Sequence, residues 1–307
     1  MNFGGIAEEQ FSSFDGARIL VWPVSYEGTV SYGSGTGQGA RAIIEASRNM
    51  ELYDDETDAE VYRLGIHTLD ESASVDPPER MMRSLLERAR ELIATEKFVA
   101  MIGGEHSVSA PVIQAHAEKY ENLSVLQIDA HADLRDTYDG TPHSHASIMA
   151  RVTRDLKIPS VQCGIRSISA EEARSLDELP TRIFWARDIV GRTDWWEAAV
   201  SGLTENVYLT VDIDGLDPSL VAQTGTPEPG GLGWYETIGL IRTLARSNNR
   251  RVVGMDLTEY AYTEGHDASA FLCAKLIYKS LSFFFEEETE RVCGGSRRDV
   301  RASPAGA

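Results

Sequence analysis

The sequence predicts an α/β protein, a three-layer α/β/α sandwich around a mainly parallel sheet of about eight strands. Two observations lead there. Short runs rich in Val, Ile and Leu alternate along the 307-residue chain with amphipathic stretches, with no internal repeat and no linker-like segment between them. The residues suited to metal chemistry fall where such runs stop: Glu105 and His106, then Asp129, His131 and Asp133, then Asp212 and Asp214. Open parallel sheets bind ligands at the carboxyl ends of their strands, a rule that scattered structural carboxylates would have no reason to obey.

The elements follow in order. ARILVWPV (17–24) reads as a first strand, followed by a Gly/Ser-rich loop, SYEGTVSYGSGTGQGAR, and a helix, ARAIIEASRNM. The loop has neither GxGxxG nor GxxxxGK[ST], so a phosphate cradle is not indicated, and it is expected to border a site mouth or a subunit contact. AEVYRLGI (59–66) reads as a second strand. DPPERMMRSLLERARELIATE (76–96) is a strongly amphipathic helix with Pro77 and Pro78 at its start, where a missing N–H costs least. KFVAMIGG (97–104) and SVSAPVIQAHAEKY give a third strand and its helix, with His116 structural in mid-helix, and the next strand is 123–128. A loop, LRDTYDGTPHSHAS, leads to a helix from about Ser144. Strands continue at SVQCGI, TRIFWA, NVYLTVDI and RRVVGMDL between helical stretches TDWWEAAVSGL, GWYETIGLIRTLARS and SAFLCAKLIYKSLSFFFEE. Trp195 and Trp196 are expected in the core or an interface. One domain over 1–290 is expected, with a disordered Gly/Ser/Pro/Arg-rich tail at 291–307.

Composition narrows the class. With 48 acidic against 29 basic residues the formal charge is −19, which argues against nucleic acid or anionic membrane as a partner and fits solubility, a high-salt cytoplasm or a surface that gathers a cationic small-molecule substrate. Cys163, Cys273 and Cys293 form no CxxC, so neither a disulfide framework nor a thiolate metal site is indicated. No apolar run reaches the ~18–20 residues of a membrane span, and MNFGGIAEEQ lacks the features of a signal peptide; a cytoplasmic location is expected.

In extended backbone, residues two apart point to one side, so Asp129, His131 and Asp133 converge at one strand end, as do Asp212 and Asp214 at another. Mixed carboxylate and imidazole ligands suit Mn²⁺, Zn²⁺ or Fe²⁺. Two His and four Asp exceed what one ion uses, and four uncompensated carboxylates would repel one another; two cations ~3.5–4 Å apart resolve both problems. Such a pair would lower the pKa of a shared water toward neutrality.

GGEHS (103–107), DAHAD (129–133) and DIDGLDPSLVAQTGTPEPGG (212–231) resemble, in order, the three metal-binding signatures of the ureohydrolases, the family of arginase and agmatinase. The resemblance runs from YEGTVSYGSGTGQGARAI to VVGMDLTEY; one departure is Glu105, where many relatives have Asp. It implies the arginase-like fold, two Mn²⁺ per chain held by His106, Asp129, His131, Asp133, Asp212 and Asp214, and a homo-oligomer, trimer or hexamer. The implied reaction releases urea and a primary amine from a guanidino group, with Asp133 also passing a proton toward the departing amine. By the same resemblance Glu259 pairs with the substrate guanidinium and Thr226 sits near it. A proton shuttle at the mouth needs a group such as histidine, and the loop offers His143 and His145. The family's His directly precedes a small residue opening a helix, which favours His145; His67 and His266 have weaker claims.

The expected substrate is agmatine, cleaved to putrescine and urea as in polyamine biosynthesis. Arginases carry a Ser- and Asn-rich loop after the DAHxD motif, whereas this chain reads Arg135, Asp136, Thr137, Tyr138, Asp139, Gly140. Two carboxylates there favour a distal ammonium over an α-carboxylate, while Arg135 leaves 4-guanidinobutyrate as the nearest rival and arginine behind it. In other classes stand a single-zinc deacetylase of related fold and a non-catalytic metal-binding protein.

Overall fold

The computed structural model describes residues 2–293 of the chain. Eight strands form one sheet: β1 (Ile19–Pro23), β2 (Ile66–Thr68), β3 (Phe98–Ile102), β4 (Leu123–Ile128), β5 (Ser160–Ile165), β6 (Thr181–Trp185), β7 (Asn206–Asp212) and β8 (Arg251–Thr258). Their order is β2-β1-β3-β8-β7-β4-β5-β6, and every pairing is parallel. The longer helices are α1 (Gly39–Ser47), α2 (Pro78–Ile93), α3 (Ser109–Lys119), α4 (Ala170–Ser175), α5 (Trp196–Ser201), α6 (Trp234–Ala245), α7 (Ala268–Phe284) and α8 (Glu286–Cys293).

The inner strands bury both faces, as a parallel sheet covered on two sides requires, while the edge strand β6 stays partly exposed. Along β1, Ile19 and Val21 join one apolar cluster while Leu20 and Trp22 join the other; along β3, Phe98, Ala100 and Ile102 separate from Val99 and Met101 in the same way. The first cluster is completed by α1, α5, α6 and α7, the second by α2, α3 and the segment around Ile148–Val152. Trp195 sits in the first cluster and Trp196 packs against it, as expected of core residues.

Three expectations need correction. Residues 59–66 are not a strand: Val61–Leu64 form a 3-10 turn, and the strand is Ile66–Thr68 beyond it. Gly65, at φ +84°, makes the break, and a side chain there would press within 2.7 Å of the Ala17 backbone. The helix from Ser144 is a chain of short pieces, a 3-10 turn at His145–Ser147, one turn at Ile148–Ala150 and a π-helical stretch at Arg151–Asp155. The expected tail begins too early, since Arg291, Val292 and Cys293 belong to α8; its remainder, 294–307, lies outside the described residues. Among the described residues no single helix is long and apolar enough to cross a membrane.

Strand order decides where a site can form. The central four strands, β3-β8-β7-β4, are drawn from distant parts of the chain, and every metal-type residue follows one of them. The direction of winding reverses between β3 and β4, which opens a crevice at their carboxyl ends.

Candidate metal centre

The six expected ligands do converge. His106 Nδ1 lies 3.2 Å from Asp129 Oδ2, 3.2 Å from Asp133 Oδ2 and 3.4 Å from Asp212 Oδ2. His131 Nδ1 lies 2.9 Å from Asp214 Oδ2 and 3.7 Å from Asp129 Oδ1. Two ligand triads result, His106–Asp129–Asp212 and Asp129–His131–Asp214, sharing Asp129. The backbone is bent to make them meet. Asp133 and Glu259 both adopt the left-handed region, at φ +53° and +65°, which costs a non-glycine residue ~1–3 kcal/mol and is tolerated where a site over-determines it. Gly215 lets the β7 loop pass under β4, since a Cβ there would stand 2.7 Å from the Asp129 nitrogen.

Whether these residues suit a cation can be read from their hydrogen bonds. Thr210 Oγ1 donates to Asp256 Oδ1 at 2.6 Å, and Tyr208 donates to the other oxygen at 2.8 Å. With its proton committed, Thr210 Oγ1 accepts from His106 Nε2 at 2.8 Å. Nδ1 is then the nitrogen left to face the cluster, fully buried, without a hydrogen-bond partner and aimed at three carboxylates, which outweigh burial and in the absence of a cation raise the imidazole well above its ordinary value. A metal-binding imidazole needs its other nitrogen anchored in this way.

The electrostatics agree. Burial, then the nearby Asp129 charge, pushes Asp133 up to about 7, and burial with Asp214 and Asp129 holds Asp212 well above the usual carboxylate range. Burial works against charge on His131, yet Asp129 and Asp214 outweigh it and push the imidazole up to about 12. Without metal the cluster recruits protons because it lacks positive charge; divalent cations would supply it.

The cavity over this cluster has a volume of about 260 Å³ and is lined by His106, His131, Asp133, Asp212, Thr226 and Glu259, with Ser31, Arg135, Tyr138, His145 and Glu172 among its outer walls. Glu259 is buried, and its Oε1 accepts the His106 backbone N–H at 2.7 Å. That bond leaves one lone pair of Oε1 and the whole of Oε2, enough for a planar two-point contact. Burial and the neighbouring Glu105 push Glu259 up to about 8, so this carboxylate too lacks a cation beside it. Thr226 Oγ1 lies 3.5 Å from Asp214 Oδ2.

The two histidines of the 134–147 loop part company. His145 lines the cavity, while His143 faces a separate groove with Glu79, Arg83 and Arg151. Burial, then the charges of His131 and His106, pulls His145 down to about 4, so its ring is a neutral proton acceptor at pH 7. His67 bonds the Ser12 carbonyl at 2.8 Å, His266 is exposed, and His116 is buried against Tyr120 and Tyr208. The Gly/Ser-rich loop does border the mouth: Ser31 lines the cavity, and Gly33 donates to the Gly225 carbonyl at 3.0 Å.

Sequence reasoning missed three supports. Gln127 and Thr210 stand two residues before Asp129 and Asp212 on the same strand face; Gln127 Nε2 donates to Asp129 Oδ2 at 2.6 Å. A polar residue two before a ligand in an otherwise apolar strand was the available signal. Arg166, just past β5, spreads its guanidinium over the carbonyls of Asp214 (2.6 Å), Gly215 (3.2 Å), Leu216 (3.2 Å) and Glu228 (2.8 Å), tying the β7 loop to the TGTPEP segment. No local pattern marks a side chain that reads backbone carbonyls.

The arginase family model matches residues 17–282. The chain is 36% identical over 295 residues to the N(1)-aminopropylagmatine ureohydrolase of Synechocystis sp., covering 94% of this chain and 95% of that protein. It is 32% identical over 285 residues to the agmatinase of Bacillus cereus, covering 91% and 96%. The solved agmatine ureohydrolase of Thermoplasma volcanium superposes with a TM-score of 0.84 at 25% identity, covering 94% and 97%. With the model matching nearly the whole sheet and relatives aligned end to end, the chain belongs to the arginase family of ureohydrolases.

Proposed function

We propose that the protein hydrolyses the guanidino group of an agmatine-class amine to urea and the free amine, with N(1)-aminopropylagmatine preferred and agmatine also accepted. The observation that carries the choice is the state of Arg135. It is the only Arg or Lys among the lining residues, and it is already engaged, 3.9 Å from Glu172 Oε2 and stacked 5.2 Å over the Tyr138 ring. A substrate carboxylate would have to compete with Glu172 for it, whereas a distal ammonium meets no other Arg or Lys in the lining and passes Glu228, whose Oε1 lies 3.9 Å from His131 Nε2. The aminopropyl extension adds a second ammonium without adding a carboxylate. The names of the 36% and 32% identical relatives, one for each amine, support the same class.

In this reading His106, Asp129, Asp133, Asp212, His131 and Asp214 hold two Mn²⁺. When bound, the pair supplies the positive charge that makes water a nucleophile near neutral pH. Glu259 receives the guanidinium in plane, its missing countercharge provided by the substrate. Thr226 borders the same group. Asp133, which lines the cavity, would take a proton from the attacking water and hand it to the departing nitrogen. Neutral His145 would relay a proton at the mouth, accepting it from bulk water and passing it to the product amine, which leaves charged.

Urea release should be measured with Mn²⁺ present on N(1)-aminopropylagmatine, agmatine, arginine and 4-guanidinobutyrate. The expected result is kcat/KM at least ~100-fold higher for either amine than for either acid, the scale of discrimination set by unpaired or repelling charges in a built pocket. A higher value for an acid would overturn the substrate, and no urea from any of the four would overturn the reaction.

A further inference from the structure

Glu105 is wholly buried beside the metal cluster but turned away from it, toward the loop that roofs the cavity. Its Oε2 accepts the backbone N–H of Gly28 at 2.7 Å and of Thr29 at 2.6 Å. Its Oε1 accepts the hydroxyls of Thr29 and Ser107, each at 2.6 Å. Four donors thus converge on one carboxylate, and three of them pin the loop just before Ser31, which lines the cavity. The loop is closed by Glu27, which accepts from Gly35 and Gly37, both at 2.9 Å.

The direction of these bonds has a consequence for His145. A threonine hydroxyl has one proton, and that of Thr29 points at Glu105 Oε1. Toward His145, Thr29 Oγ1 can therefore only accept, and it stands 3.2 Å from the His145 backbone nitrogen and 3.3 Å from Nδ1. An acceptor facing Nδ1 selects the ring form with its proton on Nδ1. Nε2 then carries the lone pair on the cavity side, beside Ser31 Oγ at 3.5 Å. The rival partner is Ser144 Oγ, 3.4 Å from Nδ1 and itself accepting from Ala146 N at 3.3 Å.

We propose that Glu105, acting through the Thr29 hydroxyl, is a positioning residue that fixes His145 with its proton on Nδ1 and so presents the Nε2 lone pair to the cavity. The link to turnover rests on the hydrolytic reading above; the ring state does not. Glu105→Gln keeps shape and can still accept the two loop N–H bonds at its oxygen, but its amide donates to Thr29 Oγ1. The Thr29 proton is then released toward Nδ1, and the proton on the ring moves to Nε2. Thr29→Val removes the hydroxyl at nearly constant volume, and Thr29→Ser restores it.

The test uses the Mn²⁺-loaded protein. Acylation of His145 by diethylpyrocarbonate, followed by peptide mass spectrometry, reads the exposed lone pair without any substrate. It should slow at least ~5-fold in Glu105→Gln, where a neutral imidazole reacts through its unprotonated nitrogen. Hydrogen exchange over residues 27–33 should stay at the wild-type rate in Glu105→Gln and accelerate in Glu105→Ala. With whichever guanidino amine the wild type turns over, kcat should fall at least ~10-fold in Glu105→Gln and Thr29→Val with KM nearly unchanged, as for loss of one proton-transfer group. Thr29→Ser should recover it, and Ser144→Ala should stay within ~3-fold of wild type, the size of a lost cap bond. Unchanged acylation in Glu105→Gln, or a loss confined to Ser144→Ala, would overturn the proposal. If the wild type releases no urea from any amine, the functional reading falls, and the acylation rates still decide the ring state.

Discussion

Thr210→Val probes how the sheet prepares the metal centre from below. Valine fills the same volume, so no cavity opens, but the bridge between His106 Nε2 (2.8 Å) and Asp256 Oδ1 (2.6 Å) is gone. Both groups are wholly buried and no water can replace the hydroxyl, so each orphaned group costs ~1–3 kcal/mol. Asp256 keeps its bond from Tyr208, which places its share at the low end. His106 loses the acceptor that held its proton on Nε2, and the form with Nδ1 protonated, which cannot bind a cation, becomes competitive. Supports of this kind are worth ~10–100-fold in metal affinity, or about 1.4–2.7 kcal/mol. The assay is Mn²⁺ retained per chain, by elemental analysis, after dialysis against a series of chelator concentrations. The midpoint should move ~10-fold or more toward weaker chelation. Asp256→Asn should move it the same way, because an amide turned toward Thr210 reverses the hydroxyl. A wild-type midpoint in both variants would refute the claim that this chain of bonds sets the state of His106.

Two predictions concern the scaffold. Lys279 is buried on α7 with Asp54, Asp55 and Glu56 at 3.0, 3.0 and 3.1 Å; Lys279→Met should cost ~3–5 kcal/mol in denaturant unfolding, because buried Asp54 is left without its cation. A loss under ~1 kcal/mol would place the network among surface pairs of little weight. His116 is held down to about 4 by burial, against an unfolded value near 6.5, so the unfolded chain binds more protons across that window. Its contribution is complete above pH ~6.5 and is lost as pH falls through ~4, about 2 kcal/mol of it between pH 7 and pH 5. His116→Leu should flatten the pH dependence of unfolding by that amount, and an unchanged slope would show that His116 is not the source.

The fold was legible because its signal is periodic. Alternate residues of β1 and β3 enter opposite clusters, and that pattern survives in the sequence as continuous apolar runs. It failed at 59–66, where VYRL has strand composition, but the left-handed Gly65 turns the chain before pairing begins. Propensity there was overruled by where β1 begins, since Ile66 is the residue that pairs with Ile19. The candidate metal ligands were legible for a different reason: residues of ligand type two apart at a strand end need no tertiary information to be recognised as one face. What the sequence could not disclose is the direction in which protons are held. Glu105, Thr29 and His145 are separated by 76 and 116 residues in the chain, and Asp256, Thr210 and His106 by 46 and 104. In each set a carboxylate takes the proton of a threonine hydroxyl, and the hydroxyl in turn can only accept from an imidazole. The outcome is opposite, with Nδ1 turned to the candidate metal cluster in one and Nε2 turned to the mouth in the other. Residue type alone cannot encode that difference, since a carboxylate, a threonine and a histidine produce both. It is set by which ring nitrogen the fold turns toward the hydroxyl, and therefore by where β3, β7 and the roof loop place their backbones.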